Sequence, residues 1–161
     1  MRDIDFSNVI DGILQGLESW ELKLTQLSED TIMNKRNNQE RTIKQILGHM
    51  VDSASNNTHR IIHLQYQDSP LRFPNYATNG NNDRWIAIQN YQNENWNDLI
   101  QHWKYSHLHW IHVVKNANQE KLNNEWISES KYGNISLKDM ITDFLRHFHL
   151  HLEEIQELID K

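Results

Sequence analysis

The sequence predicts an all-α protein, an antiparallel four-helix bundle, and three observations support this class. Four long segments carry apolar residues at steps of three and four, which is the spacing of one helix face. Only two prolines and five glycines occur in 161 residues, so little interrupts helix formation. No segment shows the sustained alternation that is typical of strands. A chain of this length can bury a core as one domain, and we predict a single domain over residues 1–161.

The four predicted helices cover about residues 8–27, 42–66, 94–117 and 136–159. Thr42 is followed three residues later by Gln45, which is a capping-box pattern for the second helix. Ser136 is a plausible N-cap for the fourth helix.

The connection between the second and third helices, residues 67–93, is long and shows no regular pattern. Loops of this length are unusual inside a domain and tend to be functional. The segment is long enough to cross the bundle from end to end, which would leave helices two and three parallel. We therefore predict an up-down-down-up order for the four helices.

Composition excludes several classes of function. The chain has no cysteine, so disulfides, thiolate metal sites and cysteine nucleophiles are excluded. The net charge is −6 without a cluster of Lys and Arg, which argues against binding of nucleic acid. A mean hydropathy of −0.81 and the lack of a long apolar run argue against a membrane protein. The N-terminal residues do not resemble a signal peptide, and we expect a cytoplasmic protein.

Histidine is unusually frequent, with ten copies, and helical geometry separates a candidate pair from the rest. His147 and His151 are four residues apart and share one side of the fourth helix, beside its apolar stripe. Two imidazoles at this spacing can bind one metal ion. His59 and His63 have the same spacing but face away from the core of their helix, so we interpret them as solvated.

Four further residues have both a functional and a structural interpretation. His49 lies on the flank of the second helix, as a metal ligand or as a half-buried histidine bonded to a backbone carbonyl. His107 projects into the apolar stripe of the third helix, as a core histidine or as part of a pocket wall. Asp52 and Asp143 are near the candidate ligands in sequence and could orient an imidazole, or they are solvated or capping groups.

Three segments resemble the DinB/YfiT-like superfamily, in the correct order along nearly the whole chain. Residues 42–53, TIKQILGHMVDS, are similar to its second-helix signature, which has a cap, an "E/Q-ilgH" core and often an Asp-Ser pair. Residues 147–155, HFHLHLEEI, resemble its closing helix with the H-x-x-x-H spacing, and residues 96–114 resemble its third helix. Where the family often has Gly-Gln after the last histidine, this chain has Leu152-Glu153-Glu154.

The resemblance implies a four-helix bundle in up-down-down-up order with a divalent ion, commonly nickel or zinc, on His49, His147 and His151. Some members of the superfamily are transferases or isomerases that use low-molecular-weight thiols, and others are described as metal-dependent hydrolases. Homodimers are common. For this chain the resemblance therefore implies a homodimer with a small-molecule thiol or electrophile as substrate.

The leading hypothesis is a metal-dependent enzyme, either a hydrolase or a thiol transferase. Three imidazoles leave coordination positions open on an ion, and any thiol must come from outside a chain without cysteine. The alternatives are a non-catalytic metal-binding or stress-related dimeric bundle and a bundle without metal. An accessible cavity beside the ion would favour the enzyme.

Five residues are candidate pocket walls around this site. Ser53, Asn56 and Arg60 lie near the side of the second helix that carries His49. Trp85 and Tyr91 belong to the long connection and could close over the mouth of a pocket. Ordinary packing or capping is the alternative for each of the five.

Overall fold

The four predicted helices are present in a computed structural model, which describes residues 3–161. Two additional short helices are present: one follows the first predicted helix, and the other precedes the third. Over the described residues the α-helices are α1 (Ser7–Thr25), α2 (Glu29–Asn34), α3 (Ile43–Tyr66), α4 (Asn81–Gln89), α5 (Trp96–Lys115) and α6 (Leu137–Asp160).

The predicted caps form at both helices that carry the candidate histidines. Thr42 Oγ1 accepts a hydrogen bond from the backbone N–H of Gln45 at 3.3 Å, and Gln45 Oε1 accepts one from the N–H of Thr42 at 3.0 Å. Ser136 Oγ accepts from the N–H of Asp139 at 3.1 Å. These bonds satisfy helix-end donors that have no partner within the helix, and they fix where α3 and α6 begin.

A small sheet was not predicted, because its strands are too short to show an alternating pattern. The strands are β1 (Leu71–Arg72), β2 (Glu125–Ile127) and β3 (Asn134–Ser136), in the order β1-β2-β3. β1 is parallel to β2, with Leu71 opposite Trp126, and β2 is antiparallel to β3. The connection over residues 67–93 is also more regular than predicted, since it contains β1, α4 and a 3₁₀ turn at Tyr91–Asn93.

Contacts at the helix ends establish the up-down-down-up order. β1 follows the end of α3 and pairs with β2, which follows the end of α5, so α3 and α5 end on the same side of the molecule. β3 leads directly into α6, which therefore begins on that side. The N–H of Ile4, just before α1, donates to Gln119 Oε1 after α5 at 2.9 Å. Thus α1 and α6 start where α3 and α5 finish, as predicted.

The core lies between the four long helices and is rich in aromatic rings. α1 and α3 each pack against both α5 and α6. Trp110 stacks on Phe144 with ring centroids 4.2 Å apart, and Trp103 lies parallel to Phe148 at 6.1 Å. Full burial of one such ring contributes about 1.5–3 kcal/mol, so these ring pairs stabilise the core where α5 and α6 face each other. Within residues 3–161, no helix has the length and apolar character needed to cross a membrane.

Candidate metal centre

Three histidines from α3 and α6 converge beside the core. His49, His147 and His151 each offer one ring nitrogen such that all three nitrogens lie within 4.8 Å of one another. The ring centroid of His151 is 4.7 Å from that of His49 and 4.4 Å from that of His147. Such a cluster has the size that one metal ion would need from three imidazoles.

The local geometry of α6 accounts for two of these rings. His147 and His151 are one turn apart on the same side of the helix, and their Nε2 atoms lie 3.1 Å apart. Burial lowers the pKa of His147 to about 3, with the neighbouring His151 as a further cause. Burial likewise lowers the pKa of His49 to about 2, helped by His151 and His147. His49 and His147 are therefore neutral near pH 7, which is the form that binds a metal ion.

Glu154 orients His151, and the sequence interpretation did not assign it this role. Its Oε2 lies 2.8 Å from Nδ1 of His151, three residues earlier on α6. A carboxylate on one ring nitrogen directs the other nitrogen towards a ligand and raises its basicity. The i, i+3 spacing on a helix is the signal that would have identified this pair.

His49 faces His151 in the cluster and lacks the backbone contact that the structural interpretation assumed. The ring is buried, and its Nδ1 has no hydrogen-bond partner within the described residues. An unpaired buried polar group costs about 1–3 kcal/mol. The free nitrogen and the two facing imidazoles together fit a site for a cation that accepts nitrogen ligands.

Ser53 lies at the edge of the cluster, on the turn of α3 that follows His49. Its Oγ is hydrogen-bonded to the hydroxyl of Tyr76 and lies 3.5 Å from Nδ1 of His147. Tyr76 was not predicted at the site; its ring centroid is 6.0 Å from that of His49, and burial raises the pKa of its hydroxyl. Trp85 lies further out, packs edge-on against Tyr76 at 5.8 Å and is 39% exposed.

Asp52 does not orient His49 through a hydrogen bond in the part of the chain that the structure describes. Its Oδ1 accepts hydrogen bonds from the hydroxyl of Tyr91 at 2.6 Å and from Gln89 Nε2 at 2.8 Å. Tyr91 is buried against Gly48 and does not close over a pocket mouth, so that prediction was wrong. The hydrogen bonds from Tyr91 and Gln89 to Asp52 instead hold the end of α4 against α3.

The carboxyl of Asp52 should make stability depend on pH in the metal-free protein. Burial raises its pKa to about 6, against the hydrogen bonds from Tyr91 and Gln89, which lower it. The ionised form is therefore disfavoured in the fold, and its cost grows as the pH rises from about 4 to above 6. The free energy of unfolding of Asp52→Asn, taken relative to wild type, should therefore rise by about 1–2 kcal/mol between pH 5 and pH 8. Urea unfolding at both pH values measures this difference.

Asp11→Asn is the matched control for that experiment, because Asp11 is an exposed carboxylate on α1. This control variant should not gain stability relative to wild type between pH 5 and pH 8. Equal pH dependence in Asp52→Asn and wild type would contradict the proposed cost of the buried carboxylate.

Three other predicted residues have structural roles. Asp143 forms a two-pronged ion pair with Arg146 at 2.6 and 2.8 Å and does not bond to His147, so its predicted orienting role is not observed. His107 is a core histidine: its Nδ1 lies 2.6 Å from the carbonyl of Trp103, and burial lowers its pKa to about 4. Asn56 donates to the carbonyl of Asp52 at 2.9 Å within α3.

A cavity of about 730 Å³ lies beside the histidine cluster. His147, Ser53 and Tyr76 line the part nearest to the cluster, and Arg60 and Trp126 line it further along. The volume is in the range of pockets that hold small organic molecules. The predicted pocket residues Ser53 and Arg60 therefore lie on its wall.

The fold and the site together define a four-helix bundle with a three-histidine cluster, of which His147 lines a pocket, and the fold is the DinB/YfiT-like one that the sequence motifs predicted. YfiT from Bacillus subtilis, described as a probable metal-dependent hydrolase with an unusual four-helix bundle topology, superposes with a TM-score of 0.79. The sequences are 15% identical, over 98% of this chain and 89% of that one.

The mycothiol-dependent maleylpyruvate isomerase superposes with a TM-score of 0.74 at 11% identity, over 96% of this chain. A histidine-to-alanine mutant of that isomerase gives 0.72 at 10% identity. This chain spans 63% of the length of the isomerase. No known family profile and no curated protein matches the sequence. At these identities the similarity establishes the fold.

Proposed function

We propose that this protein is a metal-dependent enzyme that acts on a small molecule, with one divalent ion held by His49, His147 and His151. The observation that carries the proposal is the convergence of these three imidazoles beside a cavity of about 730 Å³. Nickel or zinc suits a set of three nitrogen donors. The cavity favours an enzyme over a purely structural ion, because His147 lines its wall.

A bound ion would supply Lewis-acid activation of water or of a thiol at the positions that three histidines leave open. The residues of the chain prepare this site. Glu154 orients His151, and Ser53 positions the hydroxyl of Tyr76 near His147. Phe144 lines the wall beside His147 and helps to exclude bulk water.

Hydrolysis is the reaction that we favour, because YfiT corresponds to this chain over 89% of its own length and is described as a probable hydrolase. Thiol transfer is the second candidate. The same bundle occurs in a mycothiol-dependent enzyme, and an external thiol would be required here because the chain has no cysteine. Dimerisation stays a prediction that light scattering can test.

Activity of the reconstituted protein tests the proposal. Metal-free protein is loaded with Ni²⁺ or Zn²⁺ and assayed on panels of esters and amides, and on electrophiles with small thiols. We expect turnover that requires metal and falls by at least about 100-fold in His49→Ala, since the ion is the activating group. His59→Ala, an exposed histidine on α3, should keep full activity.

Turnover that is equal with and without metal, or unchanged in His49→Ala, would contradict the proposal. Tight metal binding without turnover on any panel would favour the non-catalytic metal-binding bundle.

A further inference from the structure

Arg60 is a buried cation without an acidic partner among the residues that the structure describes. Its side chain belongs to α3, and the residue is 5% exposed. The ion pairs of the described residues do not include it. Its Nε is also buried without a hydrogen-bond partner. Buried charges are normally paired, because an unpaired charge loses its hydration without compensation.

The contacts that Arg60 does make are with soft, apolar groups. Its guanidinium carbon lies 4.0 Å from the centre of the Trp126 ring and 5.8 Å from that of Tyr76. Its Nη1 lies 3.8 Å from the sulfur of Met140. A guanidinium has five N–H donors, so most of its hydrogen-bonding capacity is unused. The Trp126 and Tyr76 rings hold the planar group in place, which leaves it ready for an anion.

Arg60 lines the same cavity as His147 and Ser53. On α3 it follows His49 by eleven residues, which is close to three full turns, so both lie on nearly the same side of the helix. The two positions are about 16 Å apart along the axis, and long helical side chains lean towards the N-terminal end, here towards His49. An anion bound to Arg60 would therefore lie in the same cavity that His147 lines.

We propose that Arg60 binds the carboxylate of the substrate, so that the enzyme acts on small carboxylic acids whose reacting group faces the histidines. The inference of a substrate class rests on the proposed function, whereas anion binding at Arg60 does not. The guanidinium fork matches a carboxylate with two parallel hydrogen bonds. Asp139 also lines the cavity and forms no ion pair within the described residues, so its charge disfavours a dianion such as phosphate more than a monoanion.

The protonation of Arg60 agrees with this role. Burial lowers its pKa to about 10, and the guanidinium still carries its charge near neutral pH. Arg146, the other arginine on the cavity wall, is already paired with Asp143. Arg60 is thus the arginine of this wall that has no carboxylate partner among the described residues.

Titration of the metal-free 161-residue chain with small ligands tests the proposal. Acetate and benzoate are the carboxylate probes, acetamide is the neutral counterpart of acetate, and inorganic phosphate is the competing anion. NMR follows the Arg60 Nε–H and the Trp126 indole N–H, which donates to the carbonyl of Phe73 at 3.2 Å. We expect both signals to shift with the carboxylates and to stay in place with acetamide.

Two variants locate the binding. Arg60→Gln should weaken carboxylate binding by about tenfold or more, because a charge-assisted pair is lost. Arg146→Gln should leave the affinity within about twofold, since that arginine is paired with Asp143. If Arg60→Gln fails to fold, Arg60→Lys keeps the charge without the fork and should bind several-fold more weakly.

Equal responses to acetate and acetamide would overturn the proposal, and this comparison needs no variant. Unchanged affinity in Arg60→Gln, or tighter binding of phosphate than of carboxylates, would also overturn it. Because no metal is present, the result is independent of the histidine centre. His49→Ala should bind carboxylates like wild type even if its metal site is lost.

Discussion

Replacement of His49 by alanine is expected to lower the affinity for Ni²⁺ or Zn²⁺ by more than about 100-fold, beyond the effect typical of residues that only orient a ligand. The ring is buried and approaches both His147 and His151, so its loss leaves two ligands on one helix. Metal analysis of protein purified without a histidine tag should find about one equivalent in wild type and almost none in the variant.

Matched variants separate loss of a ligand from general damage. His59→Ala removes an exposed histidine from the same helix and should keep the metal. Glu154→Gln weakens the group that orients His151 and should cost about 10–100-fold in affinity. Glu153→Gln, at the preceding and exposed position of α6, should have little effect. Equal metal content in wild type and His49→Ala would remove the basis for a three-histidine centre.

Metal should also stabilise the fold, because the ligands come from two helices that are far apart in sequence. A ligand that binds only the folded state adds about 2.7 kcal/mol at a concentration of 100 times its Kd. We therefore expect the melting temperature of wild type to rise on addition of Zn²⁺, and that of His49→Ala to stay constant.

The four long helices and the two site histidines on α6 could be predicted, because they depend on local sequence patterns. Apolar spacing and the Thr42 cap placed the second helix at about 42–66, and the structure has it at Ile43–Tyr66. The pairing of His147 and His151 follows from one helical turn. The approach of His49 depends on how α3 packs against α6, and only the resemblance to a known superfamily indicated it.

Two kinds of prediction failed: nearby carboxylates that were expected to orient a histidine, and a loop residue that was expected at a pocket mouth. Asp143 pairs with Arg146 and not with His147. Tyr91 was assigned to a pocket mouth, yet it reaches back 39 residues to bond to Asp52. Arg60 lies on the cavity wall. Its contact with the Trp126 ring could not be predicted, because Trp126 belongs to a strand that is too short to show a sequence pattern. Glu154 is the exception, because its i, i+3 spacing from His151 was visible in the sequence.

The glycine beside His49 is a position where a single methyl group should have a large effect on folding. A Cβ at Gly48 would lie 2.3 Å from Cγ and Cδ2 of Tyr91, well inside contact distance. The ring cannot easily move away, because its hydroxyl is bonded to Asp52 on the same helix at 2.6 Å. We expect Gly48→Ala to lower the free energy of unfolding by about 3 kcal/mol, the upper end for overpacking a core, measured by urea denaturation.

A double-mutant cycle with Tyr91→Ala tests this cause, because the clash requires the ring. In the Tyr91→Ala background, Gly48→Ala should become neutral or stabilising by up to about 1 kcal/mol, since alanine favours a helix over glycine. Gly12→Ala is the control: its Cβ would meet only the flexible end of Leu145, at 2.7 Å, and the side chain can turn away. A Gly48→Ala cost that persists without Tyr91 would mean that α3 needs this glycine for another reason, such as the backbone geometry that places His49.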